Sequence, residues 1–115
     1  MSWALLGLVE EAAANVLILI EGIEAEELLH SRLTRQEVKR QLLDIANSLG
    51  NLQATLHSQM PELDWDAWAT TVRHLNSSDQ QDASLWFAAS ALTPATLMWL
   101  RFYREREPRL FASKL

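Results

Sequence analysis

The chain has 115 residues, enough for one continuous hydrophobic core and too few for two independent ones. Hydrophobic residues make up 49% and charged residues 22%, which excludes a disordered chain, and three glycines with three prolines are too few for a fold of many short strands. A net charge of −5 excludes the broad positive field that phosphate-driven nucleic-acid binding needs, and the lack of cysteine excludes disulfides, thiolate metal sites and a cysteine nucleophile.

The first stretch, MSWALLGLVEEAAANVLILIEG, is apolar enough to raise an export or membrane segment. It has no basic start, and Glu10 and Glu11 interrupt it, so neither a signal peptide nor a spanning helix fits; a cytoplasmic location without membrane association is expected. Leu5, Val9, Ala12, Val16, Ile20 and Ile23 recur at helical spacing, predicting one helix over residues 3–29. It is apolar on more than one face around VLILI, which predicts a central position touching several neighbours. Its charges are all acidic: Glu10, Glu11, Glu21, Glu24, Glu26 and Glu27.

The second element carries Val38, Leu42, Ile45, Leu49, Leu52 and Leu56 at alternating steps of four and three, a coiled-coil-like seam. Thr34 followed by Glu37 has the capping-box pattern for its start. A second face holds Leu43, Ala46, Asn47, Gly50 and Ala54, mostly small, which would let another backbone approach closely. Two packing seams on one helix predict a bundle, with the small-residue face available to a second subunit.

A third helix is expected after Pro61, with Trp65, Trp68, Ala69, Val72 and Leu75 on one face, Arg73 at its flank and His74 pointing away. Asn76, Ser77, Ser78 and Asp79 break it, and Ser78 with Gln81 has the pattern to cap the next. A fourth helix over residues 80–92 holds Leu85, Trp86 and Phe87. The Thr93-Pro94 step is expected to end or kink it, with Thr93 capping a last helix over residues 95–106. Arg101, Arg104, Arg106, Arg109 and Lys114 make a small basic tail, read as a solvated helix end. Together these elements predict a single all-α domain over residues 1–115, an up-down bundle of four to five helices.

Chemistry-bearing residues are sparse. His30, His57 and His74 share no ligand spacing with one another, and the tryptophans Trp3, Trp65, Trp68, Trp86 and Trp99 fall mostly on apolar faces, as core or subunit-interface residues do. Glu24 and Glu27 share one helical face, and Gln41 with Asp44 share an edge of the next helix, giving ExxE, thirteen residues, then QxxD. Paired carboxylates on two helices can hold magnesium against nucleotide phosphates, and this spacing resembles the all-α MazG-type nucleoside triphosphate pyrophosphohydrolases. In those enzymes the second half reads ExxD, so Gln41 removes one charge from the cage.

A longer similarity runs through EELLHSRLTRQEVKRQLLDIANSLGNLQATLHSQMPELDW, residues 26–65. It resembles the HepT-like branch of the HEPN superfamily in its acidic-aliphatic segment, its Thr-initiated helix, and its bend of Pro61, Glu62, Leu63, Asp64 and Trp65. The resemblance implies a HEPN-like bundle that forms a homodimer within a toxin-antitoxin system, with a minimal nucleotidyltransferase as partner and no cofactor. Members of that branch carry an Arg, then a His, and often a Tyr on the helix after the bend, forming a ribonuclease site at the dimer interface. Here those places fall on Val72, Ser77 and Asp79; sliding by one brings in Arg73 but puts Ser78 in the His place. Metal-independent RNA cleavage needs a proton-transfer group and a cation for the phosphate, and Val72 and Ser77 provide neither. The resemblance therefore implies a scaffold that has lost its catalytic site, and the second seam with the tryptophans points to Leu43, Asn47, Gly50, Ala54, Trp65 and Trp68 as the surface through which it associates.

Overall fold

The apolar residues of the first stretch form α1 (Ser2–Ile20) in a computed structural model, which describes residues 2–52, 54–77 and 81–110. The helix stops where Gly22 takes a φ of 77°, a left-handed conformation that an L side chain rarely adopts. The chain then enters α2 (Ala25–His30), so the single helix expected over residues 3–29 is two, turned by one glycine. Glu24 stands at the start of α2, and its backbone N–H donates to Glu27 Oε1 at 3.2 Å.

The third helix, α3 (Arg32–Gly50), begins two residues before Thr34, with Ser31 preceding it. The expected Thr34–Glu37 box is not the cap. Glu37 instead accepts from Arg40 Nε at 3.1 Å and from Gln41 Nε2 at 2.8 Å, one turn further on. The helix holds its place without that cap because its seam is buried. Val38, Leu42, Ile45 and Leu49 are all in the core, each contributing about 1.5–3 kcal/mol against about 1 kcal/mol for a cap. After the turn at Asn51 the seam continues through Leu52 and, in α4 (Ala54–Gln59), Leu56; both are buried although the helix itself has ended.

Pro61 lies in a turn, and α5 (Trp65–Leu75) starts four residues later, capped by Asp64, whose carboxylate accepts from the Ala67 N–H at 3.1 Å. Its buried residues are Trp68, Thr71 and Leu75, with Val72 half-buried and Ala69 exposed, so the core-facing side is rotated toward Thr71 relative to the expected one. His74 does not point away: it is half-buried, with Nδ1 2.7 Å from Ser84 Oγ on the next helix.

The Thr93-Pro94 step does not end a helix. Among the described residues α6 (Gln81–Phe87), a wide π turn (Ala88–Leu92) and α7 (Thr93–Arg106) follow without interruption. Proline lacks an N–H and crowds the carbonyl four residues before it. The wide turn relieves that crowding, and the Ala88 carbonyl accepts both the Thr93 N–H and, at 2.7 Å, the Thr93 hydroxyl. Thr93 is thus a buried internal residue and not a cap. The helix Gln81–Arg106 is long and apolar enough to cross a membrane by length and composition alone, and a little under half of its most apolar window is buried within the protein.

Among the described residues there is no strand, so the fold is all-α. α1 packs on α3 and α7, α3 on α5, and α5 on α6, around one continuous core. Polar ties join the outer helices: Arg104 donates to Glu10 Oε1 from α7 to α1, and Arg35 pairs with Asp82 from α3 to α6. The radius of gyration is 14.1 Å, near the about 13 Å expected for a compact chain of this length. Ser78, Asp79 and Lys114 lie outside the described residues, as do the side chains of Trp3 and Ala54.

Candidate functional site

The bend over residues 61–65 is tied to the core and to α4. Leu63 is buried in the core, and the Trp65 indole donates to the Met60 carbonyl at 3.1 Å while stacking on His57 with ring centroids 3.9 Å apart. Trp68 is 2% exposed, and its indole donates to Thr96 Oγ1 at 2.9 Å. A residue so enclosed has no surface left for a second chain. Of the two tryptophans expected at the interface, only Trp65 keeps a half-exposed edge.

Further along α5, Val72 packs against the core and Arg73 is exposed, with its guanidinium donating to Thr70 Oγ1 at 3.1 Å. His74 turns to Ser84 on α6. Neighbouring residues on a helix point about 100° apart, and this pair diverges accordingly, one toward solvent and one toward the next helix. Ser77 is half-buried; its N–H donates to the His74 carbonyl at 3.1 Å, and its own carbonyl accepts from Gln81 Nε2 at 3.2 Å. Asp79, the remaining place of the motif, is outside the described residues.

The carboxylates of the magnesium reading are dispersed. Glu24 and Glu27 are exposed at the start of α2 and engaged with each other there, while Asp44 is exposed on α3, 3.6 Å from Arg40. Gln41 is buried and tied to Glu37. The Arg40 guanidinium, then the Gln41 amide, hold the Glu37 carboxyl below the usual carboxylate range, and Glu37 in turn raises Arg40. No group of three or more His, Asp or Glu that could hold a metal ion gathers among the described residues.

On the small-residue face of α3, Leu43 is half-buried against the core, while Asn47 and Gly50 are exposed. A Cβ placed at Gly50 would meet nothing within 4 Å, so this face is open but offers little apolar surface.

Exposed large apolar side chains lie elsewhere: Leu8 and Ile18 on α1, Leu33 on α3, and a row on the outer side of the helix Gln81–Arg106. Phe87 is 53% exposed, Met98 56% and Phe102 39%, and Ala91 and Ala95 are exposed between them. These residues recur at steps of four, four, three and four, so they form one stripe along the helix. Beside its first half runs an open groove of ≈ 240 Å³, lined by Phe87, Ala91, Leu92, Ala95 and Thr96 and by Glu62 and Asp64 of the bend. A second groove of ≈ 510 Å³ on the other side of the bend is lined by His57, Trp65 and Asp66 and shares Glu62 and Asp64. The bend is therefore an acidic ridge between two grooves. Both signs of charge flank the second half: Arg101, Glu105 and Arg106 are exposed, Arg109 pairs with Glu107 at 3.5 Å, and the Arg106 guanidinium lies 4.9 Å from the Phe102 ring centroid.

This stripe escapes the sequence pattern because a helix boundary at Thr93-Pro94 cuts it into two pieces, each too short to show the repeat. Comparison with protein-family models, curated proteins and solved structures finds no match to the chain.

Proposed function

We propose that this chain is a HepT-like helical bundle protein of the cytoplasm that acts through association: it forms a homodimer, pairs with a nucleotidyltransferase-type protein, and does not cleave RNA. The observation that supports the reading best is the stripe of Phe87, Ala91, Ala95, Met98 and Phe102. An aligned row of exposed aromatic and aliphatic side chains, rimmed by charge, is the surface chemistry of a protein interface. The divergence of Arg73 and His74 on α5 supports the other half, since no guanidinium and imidazole converge there on one phosphate.

The association half is tested by sedimentation equilibrium of the purified chain at micromolar concentration, where a dimer is expected and a monomer would overturn it. The catalytic half is tested by incubating the chain with a structured transcript. Intact RNA is expected; degradation abolished by Arg73→Ala or His74→Ala would overturn it.

A further inference from the structure

The two halves of the Gln81–Arg106 stripe are complementary to each other and not to themselves. In the first half two small residues, Ala91 and Ala95, follow Phe87, with the groove and its acidic lip of Glu62 and Asp64 beside them. Large residues, Met98 and Phe102, occupy the second half, with Arg106 over the Phe102 ring. From this we infer that the occupant of the groove is a second copy of this chain, laid antiparallel, whose Phe102 enters beside Ala91 and brings Arg106 to the carboxylates of Glu62 and Asp64. The inference rests on the reading of the chain as an association protein and specifies the surface and register of its dimer.

Size and charge select the same arrangement. A two-fold axis between Thr96 and Leu97 sets Phe102 of each copy against Ala91 of the other, Met98 against Ala95, and Arg106 beside Phe87. One axis makes all three pairings at once, because the members of each pair are equidistant from it, and every contact is then made twice. In the Phe102–Ala91 and Met98–Ala95 pairs a large side chain meets a small one, as interdigitating helix faces require, and at Phe87 a guanidinium meets a ring. A parallel arrangement would set Phe102 against Phe102 and Arg106 against Arg106. The cation travels with the ring because the two already lie 4.9 Å apart in one chain, and the groove supplies an apolar floor with an acidic rim at the same place. That rim disfavours the alternative occupants: anionic lipid headgroups and nucleic-acid phosphates would both meet Glu62 and Asp64.

The test is a charge exchange between two exposed positions, Glu62→Lys and Arg106→Glu, read by sedimentation equilibrium with circular dichroism to show that each variant stays helical. Either substitution alone places like charges together twice in every homodimer and is expected to weaken self-association by roughly tenfold. An equimolar mixture of the two variants should restore it to near the wild-type value, because the mixed dimer pairs the new lysine with the new glutamate at one groove and the original residues at the other. A wild-type dimer indifferent to both substitutions, or a mixture no tighter than either variant alone, overturns the inference while leaving association itself standing. A monomeric wild-type chain overturns the association reading beneath it. So does a monomer that binds phosphatidylcholine vesicles and loses that binding on Phe102→Ser, which would give the stripe to a lipid surface.

Discussion

The indole N–H of Trp68 donates to Thr96 Oγ1 at 2.9 Å, and both residues are buried, so α5 and α7 are joined by a side-chain hydrogen bond inside the core. A buried indole N–H without a partner carries its full desolvation cost. Thr96→Val keeps the shape and removes the acceptor, and is expected to lower stability by about 1–3 kcal/mol. The measurement is a urea denaturation midpoint that falls with no change in slope. Adding Thr96→Val to Trp68→Phe, which has no N–H to strand, should cost less than adding it to the wild type; equal costs would sink the claim.

Gly22 and Gly50 make opposite predictions from the same substitution. Gly22 holds a φ of 77°, and a Cβ there would meet nothing within 4 Å, so alanine meets no clash but must occupy a left-handed backbone. That should destabilise the fold by about 1 kcal/mol. Gly50 ends α3 in equally open space but without the left-handed angle. Gly50→Ala should be neutral or stabilise by up to about 0.5–1 kcal/mol through the unfolded chain. Thermal midpoints of the two variants shifting in the same direction would refute the account of the α1–α2 turn.

What the sequence made legible was the repeat of apolar side chains where it ran long enough to have a phase. Val38, Leu42, Ile45, Leu49, Leu52 and Leu56 are all buried, even where the helix breaks at Asn51, because burial of the seam tolerates a local turn. Single punctuating residues misled in both directions. One glycine, Gly22, ended a helix inside an apolar run, whereas Pro94 ended nothing because the wide turn and the Thr93 hydroxyl absorbed it. A proline's local penalty is visible in sequence; the tertiary packing that makes a continuous helix worth that distortion is not. The misplaced boundary also hid the Phe87–Phe102 stripe, and with it the candidate site. The identities of Val72 and Ser77 could be read from the sequence, but the turning of His74 toward Ser84 depends on where α6 lies, which no local pattern encodes.

The Glu37 carboxyl is held below the usual range by hydrogen bonds from Arg40 first and Gln41 second. A depressed folded value means stability that is present above the unfolded glutamate pKa of about 4.3 and lost as pH falls through the folded value. Glu37→Gln removes this titration, so its stability should fall less steeply than that of the wild type as pH drops below about 4.3. Because the Arg40 side chain is 60% exposed and that of Glu37 39%, solvent reaches the pair and salt should shrink the difference. Denaturation midpoints from about pH 3 to about pH 6 at low and high ionic strength check this, and parallel acid limbs for the two proteins would contradict it.

His57 and Trp65 stack with their planes 8° apart, and among the described residues the buried His57 Nε2 has no hydrogen-bond partner. The Trp65 indole, stacked on His57, is also bound to the Met60 carbonyl, which ties α4 to the bend that carries Glu62 and Asp64. Two effects therefore oppose each other at His57. The ring's contact surface helps to hold the bend, while its unpaired nitrogen costs desolvation of about 1–3 kcal/mol. Phenylalanine keeps the first and removes the second, so His57→Phe should stabilise the fold by about 1 kcal/mol, whereas His57→Ala, which discards the stack, should destabilise it. Tryptophan fluorescence should stay near the wild-type maximum in the first variant and shift to the red in the second as the Trp65 indole gains water. If alanine proved as stable as phenylalanine, the stack would not be what holds the ridge, and the groove beside it would need another support.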